Sequence, residues 1–151
     1  MAGNRVNWAD GFDLTAGPRT LGVSEASPET REYWEALDRG RLLIKRCVPC
    51  AIHHHPRRIV CSGCGTTALE WIEACGRGRV YSYSRITRAP RPEMEASIPY
   101  SVGIVRLDEG VHMFTRFFAD PESALCVEAP AALDFRLLEL GETLPVWIVR
   151  P

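Results

Sequence analysis

Four of the six cysteines fall in the pattern C-x2-C-x10-C-x2-C: Cys47, Cys50, Cys61 and Cys64. Two thiols separated by two residues form a knuckle around a metal ion, and two such knuckles close a tetrahedral four-sulfur site. The softness of thiolate favours structural zinc, with iron in a rubredoxin-like site as the rival. Two disulfides are the third reading. They need an oxidising compartment, and the first residues lack the basic-then-apolar pattern of an export signal, so a cytoplasmic protein is expected. A closed four-thiolate site leaves no position for water, so its expected role is structural. Cys75 and Cys126, in semi-apolar surroundings, are expected as free core cysteines. His53, His54 and His55 lie between the knuckles and read as an exposed loop tip beside a ligand set that is already complete.

The chain of 151 residues can bury a core but amounts to one ordinary domain or two small modules. No apolar run approaches the roughly 20 residues of a membrane span, so no membrane role is expected. The formal net charge of −1 conceals a polarity. Residues 1–38 carry 3 basic and 7 acidic side chains, residues 39–91 carry 11 and 2, and residues 92–151 carry 4 and 10. Four thiolates with one Zn²⁺ sum to −2, which leaves the middle segment roughly +7. Lys45 is its one lysine; the rest are arginines, suited to bidentate contacts with phosphate or carboxylate. Arginine-rich usage also follows from a GC-rich genome.

Local patterns divide the chain into an irregular arm over 1–26, a helix within 27–41, a zinc ribbon over 42–74 and an OB-fold over 75–151. In the arm, Trp8 and Phe12 are candidate anchors to a partner surface. Ser27 and Pro28 suit a helix start, Glu29 and Glu32 suit its positive end, and Gly40 suits its stop. Tyr33, Trp34 and Leu37 form an apolar stripe that must dock on the body of the protein or on another chain. The ribbon strands are expected at Leu42–Arg46, Pro56–Val60 and Leu69–Glu73. Five further strands are expected at Val80–Ile86, Tyr100–Leu107, Val111–Phe118, Ala132–Leu138 and Leu144–Val149. A D-E-G turn at Asp108–Gly110 joins the middle pair, a loop spans Ala89–Pro99, and Glu139–Thr143 joins the last two strands. Five strands in so short a space favour a small closed barrel, which hides its edges. The fold expected is mostly β.

No nucleophile–base pair, phosphate loop or metalloprotease motif is present. Gly76–Arg79 (G-R-G-R) lacks the helix of a dinucleotide site. His112 falls in a strand with no visible partner. Tyr83, Arg85, Arg88, Arg91 and Tyr100 are candidates to face a coenzyme A thioester or a partner, and Tyr33 and Trp34 to face a partner. Aromatics with arginines also suit single-stranded nucleic acid, kept as the remote alternative.

An ordered set of segments carries a resemblance. It runs Tyr33-Trp34-Glu35-Ala36-Leu37, Gly40-Arg41-Leu42, Cys47-Val48-Pro49-Cys50, Pro56-Arg57, Cys61-Ser62-Gly63-Cys64-Gly65 and Leu69-Glu70-Trp71. It continues with Gly76–Ser84, Ile98-Pro99-Tyr100 and Val105–Gly110. Over residues 28–150 the chain resembles the DUF35 family, OB-fold proteins with a rubredoxin-like zinc ribbon. The resemblance implies a partner. Such proteins are encoded beside and bind thiolase-fold enzymes: archaeal acetoacetyl-CoA thiolases, phloroglucinol acetyltransferases, aldolases of steroid side-chain breakdown and benzoylsuccinyl-CoA thiolase. Others attach to hot-dog-fold hydratases. It implies a non-catalytic subunit of a heterotetramer or larger assembly, with zinc as structural cofactor and a coenzyme A thioester as shared substrate. The large subunit would hold the catalytic residues. A standalone acyl-CoA-binding module is the alternative. Two departures stand out. Relatives carry a glycine before the penultimate strand, where this chain reads Val127-Glu128-Ala129-Pro130-Ala131, so the turn is expected to rest on Pro130. The first 26 residues have no counterpart.

Overall fold

A computed structural model describes residues 28–90, 92–138 and 143–150. A single 3-10 turn, Pro28–Thr30, leads into α1 (Arg31–Leu37), which fills only part of the 27–41 segment expected to hold a helix. Gly40, at φ 67, ends it as expected. Arg41 N donates to Ala36 O at 2.9 Å and Gly40 N to Leu37 O at 3.0 Å, a Schellman arrangement that satisfies two helix-end carbonyls. Ser27 lies outside the described residues.

Three antiparallel strands form the ribbon in the order β2-β1-β3: β1 (Leu43–Cys47), β2 (His53–His54) and β3 (Leu69–Glu73). The second strand is not at Pro56–Val60. The chain turns at Pro56–Arg57, and the pairing falls instead on the histidines, Lys45 opposite His54 and Arg46 opposite His53. Position just before the second knuckle suggested 56–60, but β1 pairs with the residues that follow the first knuckle.

The remaining strands close a five-stranded barrel in the order β4-β5-β6-β8-β7. They are β4 (Arg77–Ile86), β5 (Tyr100–Leu107), β6 (His112–Ala119), β7 (Pro130–Leu137) and β8 (Thr143–Val149). A 3-10 segment, Pro92–Ser97, occupies the loop between β4 and β5. The expected D-E-G turn is present: Gly110, at φ 83, donates its N–H to Leu107 O at 2.8 Å. The connection at 139–142 lies outside the described residues. Parallel pairing of β6 with β8, Phe117 opposite Trp147, completes the closure. Gly103 is required where β4 crosses β5, because a Cβ there would run into Ser82 O. Gly78 likewise lies against Arg106 O within the sheet, so the G-R-G-R stretch is strand.

Ribbon, helix and barrel share one apolar cluster. Leu37, Leu42 and Ile44 join Val80, Val105, Leu107, Phe117, Trp147 and Val149, most of them fully buried. A ribbon this small has little interior of its own, and α1, packed on β1 and β8, welds it to the barrel.

Candidate functional site

The two knuckles are built alike. Cys47 O accepts from Ala51 N at 2.9 Å and Cys61 O from Gly65 N at 3.0 Å; Cys47 N donates to Ile52 O and Cys61 N to Thr66 O. Each turn ends in a left-handed residue, Ala51 at φ 59 and Gly65 at φ 74. Glycine takes that conformation freely; alanine does so at a cost of about 1 kcal/mol. These turns aim four sulfurs at one point, and all four Sγ atoms lie within 4.8 Å of one another. The closest pairs are Cys47–Cys64 at 3.5 Å and Cys50–Cys61 at 3.4 Å. A tetrahedron with metal–sulfur bonds of about 2.3 Å has edges of about 3.8 Å. The donor set fits structural zinc, and none of the six cysteines is in a disulfide.

The surroundings favour ionisation of one sulfur and oppose it at another. Backbone N–H groups of Cys64 and Gly63, with the ring of His54, hold the Cys61 thiol down to about 5. Burial pushes the Cys47 thiol up to about 12. A cation is what allows all four to ionise together. His54 is 5% exposed, and its Nε2 lies 3.3 Å from Cys61 Sγ. The Nε2–H tautomer donates to that sulfur, so His54 supports a ligand rather than decorating an exposed tip. His53 is half-buried in β2, and His55 accepts from Arg57 N at 3.2 Å through Nδ1.

Lys45 is buried at 7% exposure. Its ammonium donates to Arg58 O at 3.0 Å and Glu29 O at 3.4 Å and sits 4.5 Å above the Trp71 ring. One cation thereby ties the segment before α1 to the second knuckle's approach and to β3. Nothing in the sequence singles it out except its being the only lysine in an arginine-rich chain.

The free cysteines are not core residues: Cys75 and Cys126 are both exposed, each in a connection between strands. Partial desolvation raises the Cys75 thiol's pKa, and Glu109, whose Oε1 accepts from Cys75 N at 2.6 Å, adds to the rise.

Tyr33 and Trp34 are half-buried against the common core, their rings in edge contact at 5.1 Å. Trp8 and Phe12 lie outside the described residues, as does Arg91. Tyr83 and Arg85 share one side of β4. Tyr100, opposite Ile86, belongs to the other side, so the strand pair does not gather the three onto one face. Arg85 pairs with Glu122 at 2.9 Å, Arg88 is exposed, and Tyr100 lies beneath Arg116 at 4.5 Å. His112 has a partner, the Tyr81 ring at 4.6 Å.

The turn before β7 rests on Glu128, not Pro130. Glu128 adopts φ 66, the conformation a glycine would supply. Its carboxylate takes two bonds from Arg106, at 2.9 and 3.1 Å, and its carbonyl accepts from Arg79 at 2.9 Å. Its N–H donates to Val80 O at 2.8 Å. Four bonds to β4 and β5 offset the strained backbone.

Comparisons with known proteins agree with this architecture. The ChsH2 rubredoxin-like zinc ribbon domain model matches residues 34–70, and the ChsH2 C-terminal OB-fold domain model matches residues 71–136. A probable enoyl-CoA hydratase alpha subunit from Thermomonospora curvata is 33% identical over 131 residues, 86% of this chain. The chain spans 40% of that relative's length. A DUF35 domain-containing scaffold protein from Methanothermobacter thermautotrophicus is 34% identical over 98 residues, covering 63% of this chain and 73% of the relative. Among solved structures, the Ltp2-ChsH2(DUF35) aldolase superposes with a TM-score of 0.72 at 31% identity, over 83% of this chain and 98% of that one. A DUF35 protein from Sulfolobus solfataricus, 17% identical with a TM-score of 0.54, shares the fold. With its four-cysteine ribbon joined to a five-stranded OB barrel, the chain belongs to the DUF35 family.

Proposed function

We propose that this chain is the non-catalytic, zinc-bearing subunit of a heteromeric thiolase-type complex that makes or breaks a carbon–carbon bond in an acyl-CoA. The carrying observation is the likeness to the DUF35 chain of an aldolase complex, over nearly its whole length. The chain's own chemistry supports the reading. Among the described residues the sulfurs fall into a closed structural site and two exposed thiols, and the Cys75 thiol is raised rather than activated. Zinc, when bound, ties the two knuckles and supplies no reactive position. The chain would brace loops of the larger enzyme and contribute a wall of its acyl-CoA channel, in a heterotetramer or larger assembly. Tyr83 and Arg85, on one side of β4, and the exposed Arg88 are the proposed coenzyme-facing residues, with Arg91 following in sequence; Tyr100, on the other side, is not one of them. Substrates of the aromatic succinyl or steroid side-chain type would suit such a complex.

A second reading, an accessory subunit of an enoyl-CoA hydratase, is favoured by the Thermomonospora curvata relative. Purification of the chain alone and with the enzyme encoded beside it, followed by assays of CoA-dependent carbon–carbon cleavage and enoyl-CoA hydration, separates the two. Cleavage that needs both proteins is the expected result. Full turnover by this chain alone refutes the proposal, and hydration with a hydratase-type neighbour transfers the role to the second reading.

A further inference from the structure

The ribbon tip carries an aliphatic surface that the fold leaves uncovered. Val48 is 57% exposed, Ile52 42%, Ile59 59% and Val60 40%. Each lies within two residues of a metal-site cysteine, and the four sulfurs are within 4.8 Å of one another, so all four residues belong to the two knuckles and their approaches. The knuckle turns hold them there. Ile52 Cδ1 sits directly over Gly63, where even a Cβ would meet it. Metal coordination replaces a local core in so small a module, which explains how the tip folds without burying these residues but not why they are aliphatic. Clustered exposed aliphatics mark an interaction site.

The charge around them is of one sign. Residues 44–69 contain Lys45, Arg46, Arg57 and Arg58 and no aspartate or glutamate. Lys45 is buried and Arg46 is paired with Glu70 at 3.2 Å, which leaves Arg57 and Arg58, both exposed, beside Ile59 and Val60. The surface is therefore an aliphatic centre with a basic rim. Nucleic acid is a poor occupant, because valine and isoleucine offer no flat π face on which a base can stack.

We infer that the ribbon tip is a docking surface for a protein partner, an apolar patch edged by carboxylates on the larger enzyme subunit. This rests on the functional reading above and adds to it the place of contact. Valines and isoleucines fill the partner's apolar depression, while Arg57 and Arg58 meet its acidic edge and steer encounter.

The test uses the zinc-loaded chain and the larger enzyme encoded beside it, with affinity measured by calorimetry at low and high salt. Two double variants are compared with wild type: Val48→Glu with Ile59→Glu, and Arg57→Glu with Arg58→Glu. All four side chains point to solvent, and metal content with a thermal melt confirms that each variant is folded. The inference expects affinity to fall about 100-fold in the first. The second should lose about 10-fold and most of its salt dependence. If wild type binds the enzyme and both variants bind equally well, the docking site is elsewhere: the inference fails and the functional reading stands. If wild type does not bind the enzyme at all, the reading fails and takes the inference with it. The inference is likewise overturned if the first variant instead abolishes self-association in light scattering or binding to a single-stranded oligonucleotide while leaving enzyme binding intact.

Discussion

Substituting Lys45 with methionine removes the buried ammonium and keeps most of the stem. The bond to Arg58 O, at 3.0 Å, is a full charge-assisted hydrogen bond, worth about 1.5–3 kcal/mol net. The one to Glu29 O, at 3.4 Å, is near the limit of bonding and adds a fraction of that. The face of Trp71 at 4.5 Å adds about 1 kcal/mol. Against these stands desolvation. Burial lowers the pKa of Lys45, so the charged form is penalised, and methionine escapes that penalty while burying a thioether. The balance is a loss of about 2 kcal/mol, or about 4–8 °C in Tm for a domain of this length. The assay is thermal unfolding of the zinc-saturated protein by circular dichroism, with Trp71→Leu and the double variant completing a cycle. A coupling of about 1 kcal/mol between positions 45 and 71 is expected. A K45M protein as stable as wild type would show that desolvation cancels every contact, and that the lysine does not clasp the ribbon.

Other outcomes follow from the same geometry. Native protein should hold one zinc per chain, and a strong chelator should abolish hydrogen-exchange protection in β1 and β3 while β5 and β6 stay protected; a ribbon still protected without metal would mean that packing alone folds it. Ala51→Gly relieves the left-handed alanine of the first knuckle and should raise stability by about 1 kcal/mol, or about 2–4 °C in Tm. An unchanged melt would place no cost at that turn. In a Cys126→Ser background, alkylation of Cys75 should keep accelerating above pH 9.0, because its thiol is raised from that ordinary value and the thiolate is the reactive form. Glu109→Gln removes a negative charge that opposes the thiolate and should move the profile to lower pH. A profile with its midpoint below pH 9.0 in the parent would contradict the raised thiol.

Much of this protein is legible from one dimension. The cysteine spacing specifies the metal centre because a knuckle is a local structure: two residues between thiols leave little choice of geometry, and Ala51 and Gly65 complete it within the same turn. Strand positions are legible for a similar reason. Period-two alternation locates β4 to β8 within a few residues, and D-E-G forces the β5–β6 turn. The helix stop at Gly40 rests on the left-handed preference of one residue. Errors arose where local pattern competed with distant pairing. Pro56–Val60 has strand-like residues but no neighbour in reach, whereas His53 and His54 have β1.

What distance in sequence hides is long-range contact. Cys75 and Cys126 look like core residues until the barrel closes and leaves both in connections on its surface. A glutamate in a left-handed turn is unfavourable on any local scale. Arg106, more than twenty residues away, and the carbonyl and amide bonds to β4 decide that Glu128 can hold it. The same holds for Lys45 above Trp71 and for His54 against Cys61. Short-range sterics and thiolate geometry settle the ribbon, the turns and the strand phases residue by residue. Which side chains are buried, paired or left facing a partner depends on energies that exist only once the folded chain brings remote residues together.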